Sequence, residues 1–303
     1  CIRDSSQERE LAFRRAGVAH LLALSGLHLG ILVAAGWWVL GLFRIGKGAR
    51  YLVMLPGTWF YVYLAGGRVS LIRAGLMFSF LGLFWLLVER GWVLRRWYQP
   101  LGALAGAMLV VILIWPWSPL DVGFQLSFSA TGAILLLWPV WSEAGWRKRW
   151  RAAIAPAPWG LPLRLVLWGA DLLAVSAFAQ LGALPIVGAT FGYLNPYALL
   201  ANLILIPWTA LLLGAGLILL ACAPLPGAQA LGWMMATVLI HPYIAVVNWL
   251  SLLPGAALPV GEGFGLWCLF CWLGVLLLQA IRDAQEPLPY STWAASLGNS
   301  SIA

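Results

Sequence analysis

The sequence predicts an all-α integral membrane protein, a polytopic helical bundle that includes broken or re-entrant helices. Of its 303 residues, 62% are hydrophobic and only 9% are charged, whereas about a quarter of the residues in a soluble domain carry a charge. Several apolar stretches approach the roughly 20 residues that a helix needs to cross a bilayer. This composition excludes a soluble globular protein, and the helices must pack against one another.

Nine apolar stretches, separated by charged or Pro/Gly-rich breaks, are candidate spans. They cover residues 18–43, 51–66, 74–88, 100–117, 122–141, 165–191, 196–219, 229–253 and 263–281. The second and third stretches are short, and Pro185 interrupts the sixth, so re-entrant or discontinuous helices are expected there. Three regions follow: a polar lead-in over residues 1–17, expected to be the end of an upstream domain, a transmembrane domain over 18–281 and a polar tail or linker over 282–303.

The loops between these stretches alternate in charge. Clustered Lys and Arg occupy residues 44–50, 89–98 and 142–164, whereas the intervening loops carry no cation apart from Arg68 and Arg73. Because basic loops remain in the cytoplasm, this alternation places residue 1 outside the cell. The loop over 142–164, with WRKRW near its N-terminal end, is predicted to form an amphipathic helix on the inner leaflet.

Polar and ionisable side chains near or inside the apolar stretches are the candidate site residues, because each costs free energy in lipid unless it faces water or a partner. They are His20, Ser25, His28, Arg68, Arg73, Asp121, Gln125, Ser129, Gln180 and Asn202. Of these, Asp121, Gln125 and Ser129 recur at every fourth residue and form one polar stripe.

Structural explanations stay open for several of these residues. Ser25 and His28 share a helix face and could hydrogen-bond between packed helices instead of lining a path. Asp121 suits a helix N-cap, and Asn195 followed by proline also favours an N-cap with proline as the first helical residue. The two arginines could extend to the membrane interface or meet phosphate.

The chain lacks the common catalytic signatures. It contains no nucleotide phosphate loop, no HExxH or HxHxD pattern and no GxSxG elbow, so neither an enzymatic activity nor a cofactor is expected. The CxxC of Cys268 and Cys271 has no second ligand pair and is interpreted as two buried apolar residues. A hydrolase built on Ser25 and His28 would need a carboxylate partner.

Four stretches resemble, in this order, the competence domain of ComEC-type proteins. They read GVAHLLALSGLHLG, RAGLM, PLDVGFQLSFSATG and LAVSAFAQLGALPIVGATFGYLNPYALLANLILIPW. The resemblance implies a multi-pass protein of the bacterial plasma membrane whose interior passes single-stranded DNA into the cytoplasm during natural transformation. It also implies four kinds of partner: membrane lipid, a cytoplasmic ATPase, an outer DNA receptor, and flanking oligonucleotide-binding and metallo-β-lactamase-like domains of the same protein.

Two details qualify what the resemblance implies. No nuclease role transfers to this chain, because neither flanking domain is present in it. The family also implies that both flanking domains lie outside the cell, whereas nine spans would put the two ends of the chain on opposite sides. At least one predicted span is therefore expected to be wrong.

Two rival functions remain open at this point. A small-solute secondary transporter would bind its substrate near the membrane midplane at a broken helix, with Asp171, Pro185 and Asn202 as its markers. An intramembrane hydrolase would use Ser25 as nucleophile and His28 as base, with Asp121 or Asp171 orienting the imidazole.

Overall fold

The structure is a computed structural model. It describes residues 12–13, 15–18, 25–92, 99–154, 160–261, 263–270 and 272–274. The helices in this part of the chain are α1 Gly26–Leu42, α2 Lys47–Leu64, α3 Val69–Glu89, α4 Pro100–Ile114, α5 Val122–Glu143, α6 Gly145–Ile154, α7 Gly160–Phe191, α8 Ala198–Cys222, α9 Ala228–Met235, α10 His241–Ser251 and α11 Phe264–Gly274. The all-α prediction is confirmed.

Each predicted apolar stretch contains a helix, but the helices differ in their capacity to cross a bilayer. Among the residues described, five helices are long and apolar enough: Val69–Glu89, Val122–Glu143, Pro162–Phe191, Ala198–Cys222 and Ala228–Ser251. Helices α1, α4 and α11 are apolar but shorter. Helix α2 has 18 residues but is more polar, since Lys47 and Arg50 occupy its first turn. Of the nine predicted spans, five therefore correspond to a described helix that is both long enough and apolar enough to cross a membrane.

The break expected at Pro185 is wrong, because α7 continues through this residue to Phe191. Proline removes a single backbone hydrogen bond from a helix, whereas ending the helix inside lipid would leave several groups unpaired. The interruption lies elsewhere: a π-helical turn, Ala236–Ile240, joins α9 to α10. Pro242 follows this turn and has no N–H for the carbonyl of Val238, which accounts for the local widening.

The start of α8 also differs from the prediction. Asn195 is not the N-cap, since α8 begins at Ala198 after Tyr197. Its Oδ1 instead accepts a hydrogen bond from the backbone N–H of Tyr197 at 2.7 Å, which forms a turn before the helix.

Two short strands define one end of the bundle. Strand β1, Tyr193–Leu194, follows α7, and strand β2, Leu258–Pro259, follows α10; they pair in antiparallel fashion. We call this the hairpin end. Helices α5 and α7 are antiparallel, because Gly182 faces Ser129 while Asp171 bonds Trp141. The starts of α1, α3 and α5 therefore lie at the hairpin end. The described cations of the Lys/Arg-rich turns, Arg44, Arg90 and Arg147 among them, lie at the opposite end, which we call the basic end.

Residues near the N-terminus pack into the hairpin end. Phe13, Ala16 and Val18 are buried against α8 and α10, in a cluster that includes Leu205 and Val247. Most large apolar side chains on the outer helix surfaces remain exposed, as expected for surfaces that face lipid. The chain is a multi-pass membrane protein.

Candidate functional site

Three of the four stretches that carry the sequence resemblance meet around the side chain of Arg73. This residue lies in the first turns of α3, and its Nε donates a hydrogen bond to Ser127 Oγ of α5 at 2.8 Å. Its guanidinium carbon lies 5.9 Å from the centre of the Phe128 ring. A Cβ atom added to Gly26 of α1 would lie 2.8 Å from Arg73 Nη2. Helices α1, α3 and α5 thus enclose the guanidinium closely, and a side chain at position 26 would displace it.

Arg73 is buried, with 9% of its surface exposed, and its charge is uncompensated in the part of the chain that the structure describes. No carboxylate among those residues lies within salt-bridge distance of the guanidinium. Its other contact is Met77 Sδ, 3.6 Å from Nη1. Breaking a buried ion pair costs about 3–5 kcal/mol because one charge is left unpaired. The unpaired charge of Arg73 is unfavourable for the same reason, so an anion that bound beside it would stabilise the site.

Ser25 and His28 cap the start of α1 beside this arginine. The backbone N–H of Ser25 donates to His28 Nδ1 at 3.2 Å, and Ser25 Oγ lies 2.9 Å from the same nitrogen. Because Nδ1 accepts a hydrogen bond, the network assigns the ring proton to Nε2 and a neutral imidazole. His28 takes the place of the glutamate or glutamine that usually completes a capping box.

The polar stripe of α5 is bound mainly to nearby backbone. Asp121 is the N-cap of α5 and accepts a hydrogen bond from the Phe124 N–H at 2.8 Å, which confirms the structural alternative. Gln125 Nε2 donates to the Pro119 carbonyl at 2.8 Å, and Ser129 Oγ lies 3.3 Å from the Leu126 carbonyl.

Helix α7 lies directly against this part of α5. A Cβ at Gly182 would come within 2.5 Å of the Ser129 carbonyl oxygen and 2.6 Å of Ala133 Cβ. The backbone of Ser129 therefore faces another helix.

The remaining predicted residues are spread over the bundle. Asn202 of α8 is buried, and its Oδ1 has no hydrogen-bond partner among the described residues; the same holds for Gln180 Nε2 of α7. Arg68 is the exposed N-cap of α3. His20 lies outside the described residues. The structure thus places Ser25, His28 and Arg73 at the hairpin end, where Gly26 is the residue of α1 that lies against the guanidinium.

Sequence reasoning missed Ser127, which holds the guanidinium. It lies two residues before Ser129 and so falls on another face of the helix than the predicted stripe. No periodicity in the sequence identifies Ser127. Its contact with Arg73 depends on where α3 packs against α5.

An ion pair fixes the basic end. Arg147 of α6 donates from Nε to Asp171 Oδ1 at 3.0 Å and from Nη2 to Oδ2 at 2.7 Å. Trp141 Nε1 donates to the same carboxylate at 2.9 Å, and the guanidinium lies 5.5 Å from the centre of the Trp138 ring. The predicted amphipathic segment is therefore a helix attached to α7 by a bidentate contact. Asp171 is a structural partner in this arrangement, which removes one marker of a solute site.

Among the residues that the structure describes, no hydrogen bond joins His28 to a carboxylate. Of the two candidate carboxylates, Asp121 caps α5, and Asp171 is bound to Arg147 at the opposite end of the bundle. The distance between Ser25 and His28 fits a helix cap as well as a catalytic pair.

Comparisons with known proteins agree with the sequence resemblance. The family model described as Competence protein matches residues 3–285. ComE operon protein 3 of Bacillus subtilis is 29% identical over 201 residues, which is 65% of this chain and 22% of that protein. Recombination protein 2 of Haemophilus influenzae is 28% identical over 218 residues, 65% of this chain and 26% of that protein. Competence protein ComA of Neisseria gonorrhoeae is 27% identical over 239 residues, 74% of this chain and 29% of that protein.

The chain spans less than a third of the length of each of these relatives. No solved structure matches it significantly. The match over nearly the whole chain confirms the ComEC-type resemblance. This chain belongs to the Competence protein family.

Proposed function

We propose that the chain forms the membrane path by which single-stranded DNA enters the cytoplasm during natural transformation. Its family and its relatives support a role in competence and DNA uptake. The observation that carries the proposal is the buried guanidinium of Arg73. It lies where three helix starts converge, and no described carboxylate neutralises it. Each nucleotide of DNA brings one phosphate charge, which is the partner this site lacks.

The distribution of cations supports a direction of passage. Arg68 and Arg73 lie at the hairpin end, and the Lys/Arg-rich turns lie at the basic end. The positive-inside rule places the basic end in the cytoplasm, so a strand would meet the two arginines first. In the structure α1 covers Arg73 through Gly26, and we propose that this arrangement is a closed state of the path. Movement of α1 away from α3 would expose the guanidinium to phosphate.

We propose the bacterial plasma membrane as the location and single-stranded DNA as the substrate. A cytoplasmic ATPase, an outer DNA receptor and flanking soluble domains of a longer protein would act with the chain. We propose no catalytic activity for the chain itself and no cofactor. A serine-directed probe tests this point: labelling that disappears in Ser25→Ala would establish the hydrolase instead.

The central test is DNA uptake in a competent strain that carries Arg73→Met in the full-length protein. We expect uptake to fall at least tenfold at unchanged protein level, while Arg73→Lys retains more activity than Arg73→Met because it keeps the charge. The purified Met variant should be as stable as the wild type or more stable, because it removes an uncompensated buried charge. Wild-type uptake by Arg73→Met at normal protein level would refute the proposal.

A further inference from the structure

A proline in α7 releases a backbone carbonyl that another helix then binds. Pro185 lies inside α7 and has no N–H, so the carbonyl of Leu181, four residues earlier, loses its partner within the helix. Leu181 precedes the end of α7 by 10 residues, about 15 Å along the helix, where lipid offers no donor. The indole of Trp272 in α11 replaces the missing donor, since its Nε1 lies 2.6 Å from the Leu181 carbonyl oxygen. The hydrogen bond that α7 lacks is therefore supplied by α11.

The two parts of α7 on either side of Pro185 are in contact with different helices. Before the proline, Gly182 lies directly against the backbone of α5. After the proline, a Cβ added to Gly188 would lie 2.6 Å from the ring of Phe264 in α11. Helix α11 thus holds the part of α7 that follows the proline, residues 186–191.

The contact between α11 and α7 is close at the proline itself. A Cβ added to Gly265 of α11 would lie 2.6 Å from the Pro185 carbonyl oxygen and 2.8 Å from Ala189 Cβ. A cavity of about 300 Å³ opens beside this contact, with Ala189, Gly192 and Leu266 in its wall. The cavity leaves space into which the end of α7 can bend.

We propose that Pro185 is a hinge in α7 and that Trp272 is the latch that keeps this hinge straight. Sharp bends of helices occur chiefly at proline, because the ring removes a hydrogen bond and crowds the preceding turn. While the indole binds the Leu181 carbonyl, residues 186–191 stay in line with the rest of α7. When α11 withdraws, these residues bend toward the space that α11 and the cavity provide.

The hinge would act at the hairpin end, where a DNA strand would enter. Residues 186–191 lead directly into β1, which defines that end. The inference that bending widens the entrance rests on the proposed function. The latch itself does not, because the contact between Trp272 and Leu181 involves neither Arg73 nor DNA.

Hydrogen exchange measured by mass spectrometry on the full-length protein in lipid nanodiscs tests the latch. Trp272→Phe keeps an aromatic ring but removes the N–H, so the amides of residues 186–191 should exchange at least fivefold faster. In a Pro185→Ala background the same substitution should change exchange less than twofold, because the alanine N–H now binds the Leu181 carbonyl. The matched control is Trp267→Phe, on the same helix, whose side chain is 74% exposed. It should leave exchange in α7 unchanged.

Two outcomes of this experiment would overturn the latch. One is unchanged exchange of residues 186–191 in Trp272→Phe. The other is an equal increase in the wild-type and Pro185→Ala backgrounds, which would mean that the indole acts through its ring and not through its N–H.

DNA uptake in a competent strain tests the hinge. Pro185→Ala restores a helix hydrogen bond, so a merely structural proline would allow this change without loss of uptake. A hinge predicts the opposite: uptake should fall at least tenfold at unchanged protein level, because α7 no longer bends. Pro207→Ala, inside α8, is the matched control and should retain uptake.

Wild-type uptake by Pro185→Ala would overturn the hinge. Refutation of the DNA path by Arg73→Met would leave the exchange results standing, so failure of the latch and failure of the proposed function are distinguishable.

Discussion

The close contact between α5 and α7 makes Gly182→Ala a sharp test of the bundle. The new Cβ would lie 2.6 Å from Ala133 Cβ and 2.5 Å from the Ser129 carbonyl oxygen, whereas carbon atoms pack at about 3.5–4.0 Å. Because the Ser129 carbonyl belongs to the backbone of α5 and cannot rotate away, the two helices must separate by about 1 Å. Overpacking of this kind costs about 1–3 kcal/mol, and the better helix propensity of alanine returns at most about 1 kcal/mol. We expect the free energy of unfolding to fall by about 1–2 kcal/mol.

The same helix offers a matched control, Gly169→Ala. At this position the nearest atom to the added Cβ is Leu203 Cδ1 at 3.9 Å, an ordinary contact. The control should therefore unfold with unchanged free energy, or with a gain of up to about 1 kcal/mol. Both variants are compared by equilibrium unfolding in mixed detergent micelles as the denaturing detergent fraction rises. Equal stability of the two variants would show that α5 and α7 do not approach as described.

Three further substitutions probe individual contacts. Asp171→Asn should lower the free energy of unfolding by about 1–3 kcal/mol, because the Arg147 guanidinium loses its bidentate partner. A double variant that also carries Arg147→Met should recover part of this loss. Losses that simply add in the double variant would contradict the pairing. Tyr243→Phe removes one hydroxyl hydrogen bond and should cost about 1 kcal/mol in the same assay; no change would place the hydroxyl elsewhere. Ser25→Ala should remove the contact of the Ser25 hydroxyl with His28 Nδ1, while the backbone N–H bond to that nitrogen stays, and should speed hydrogen exchange in the first turn of α1 alone. Faster exchange along the whole helix would argue for a larger role.

The sequence predicted the class of fold well, because the cost of polar groups in lipid leaves few alternatives. The same cost marked Arg73, Ser25 and His28 as candidate site residues, a prediction that stays to be tested. The cost of polar groups in lipid could not show whether Asp121 caps a helix or lines a path. A carboxylate at the start of a helix is expected in either case, and the structure shows the cap.

Other features could not be predicted because they depend on neighbours in space. Ser127 matters only because α3 brings Arg73 to it. The π turn before His241 follows from Pro242 in a helix that the membrane does not allow to end. The membrane also explains why α7 continues through Pro185, because ending the helix in lipid would leave backbone groups unpaired. The rule that proline ends a helix, which holds in water, therefore does not apply to this residue.

The two ends of the bundle differ in how a buried arginine is neutralised. At the basic end, the buried Arg147 has a bidentate carboxylate, so its charge is neutralised within the fold. At the hairpin end, the buried Arg73 has a hydroxyl, a thioether and a ring as neighbours, and none of these groups carries a charge in the described part of the chain. A requirement for stability alone would favour an apolar side chain at position 73. The uncompensated guanidinium is therefore the feature on which our proposal rests, namely that an anion such as a DNA phosphate binds at Arg73 and is released again.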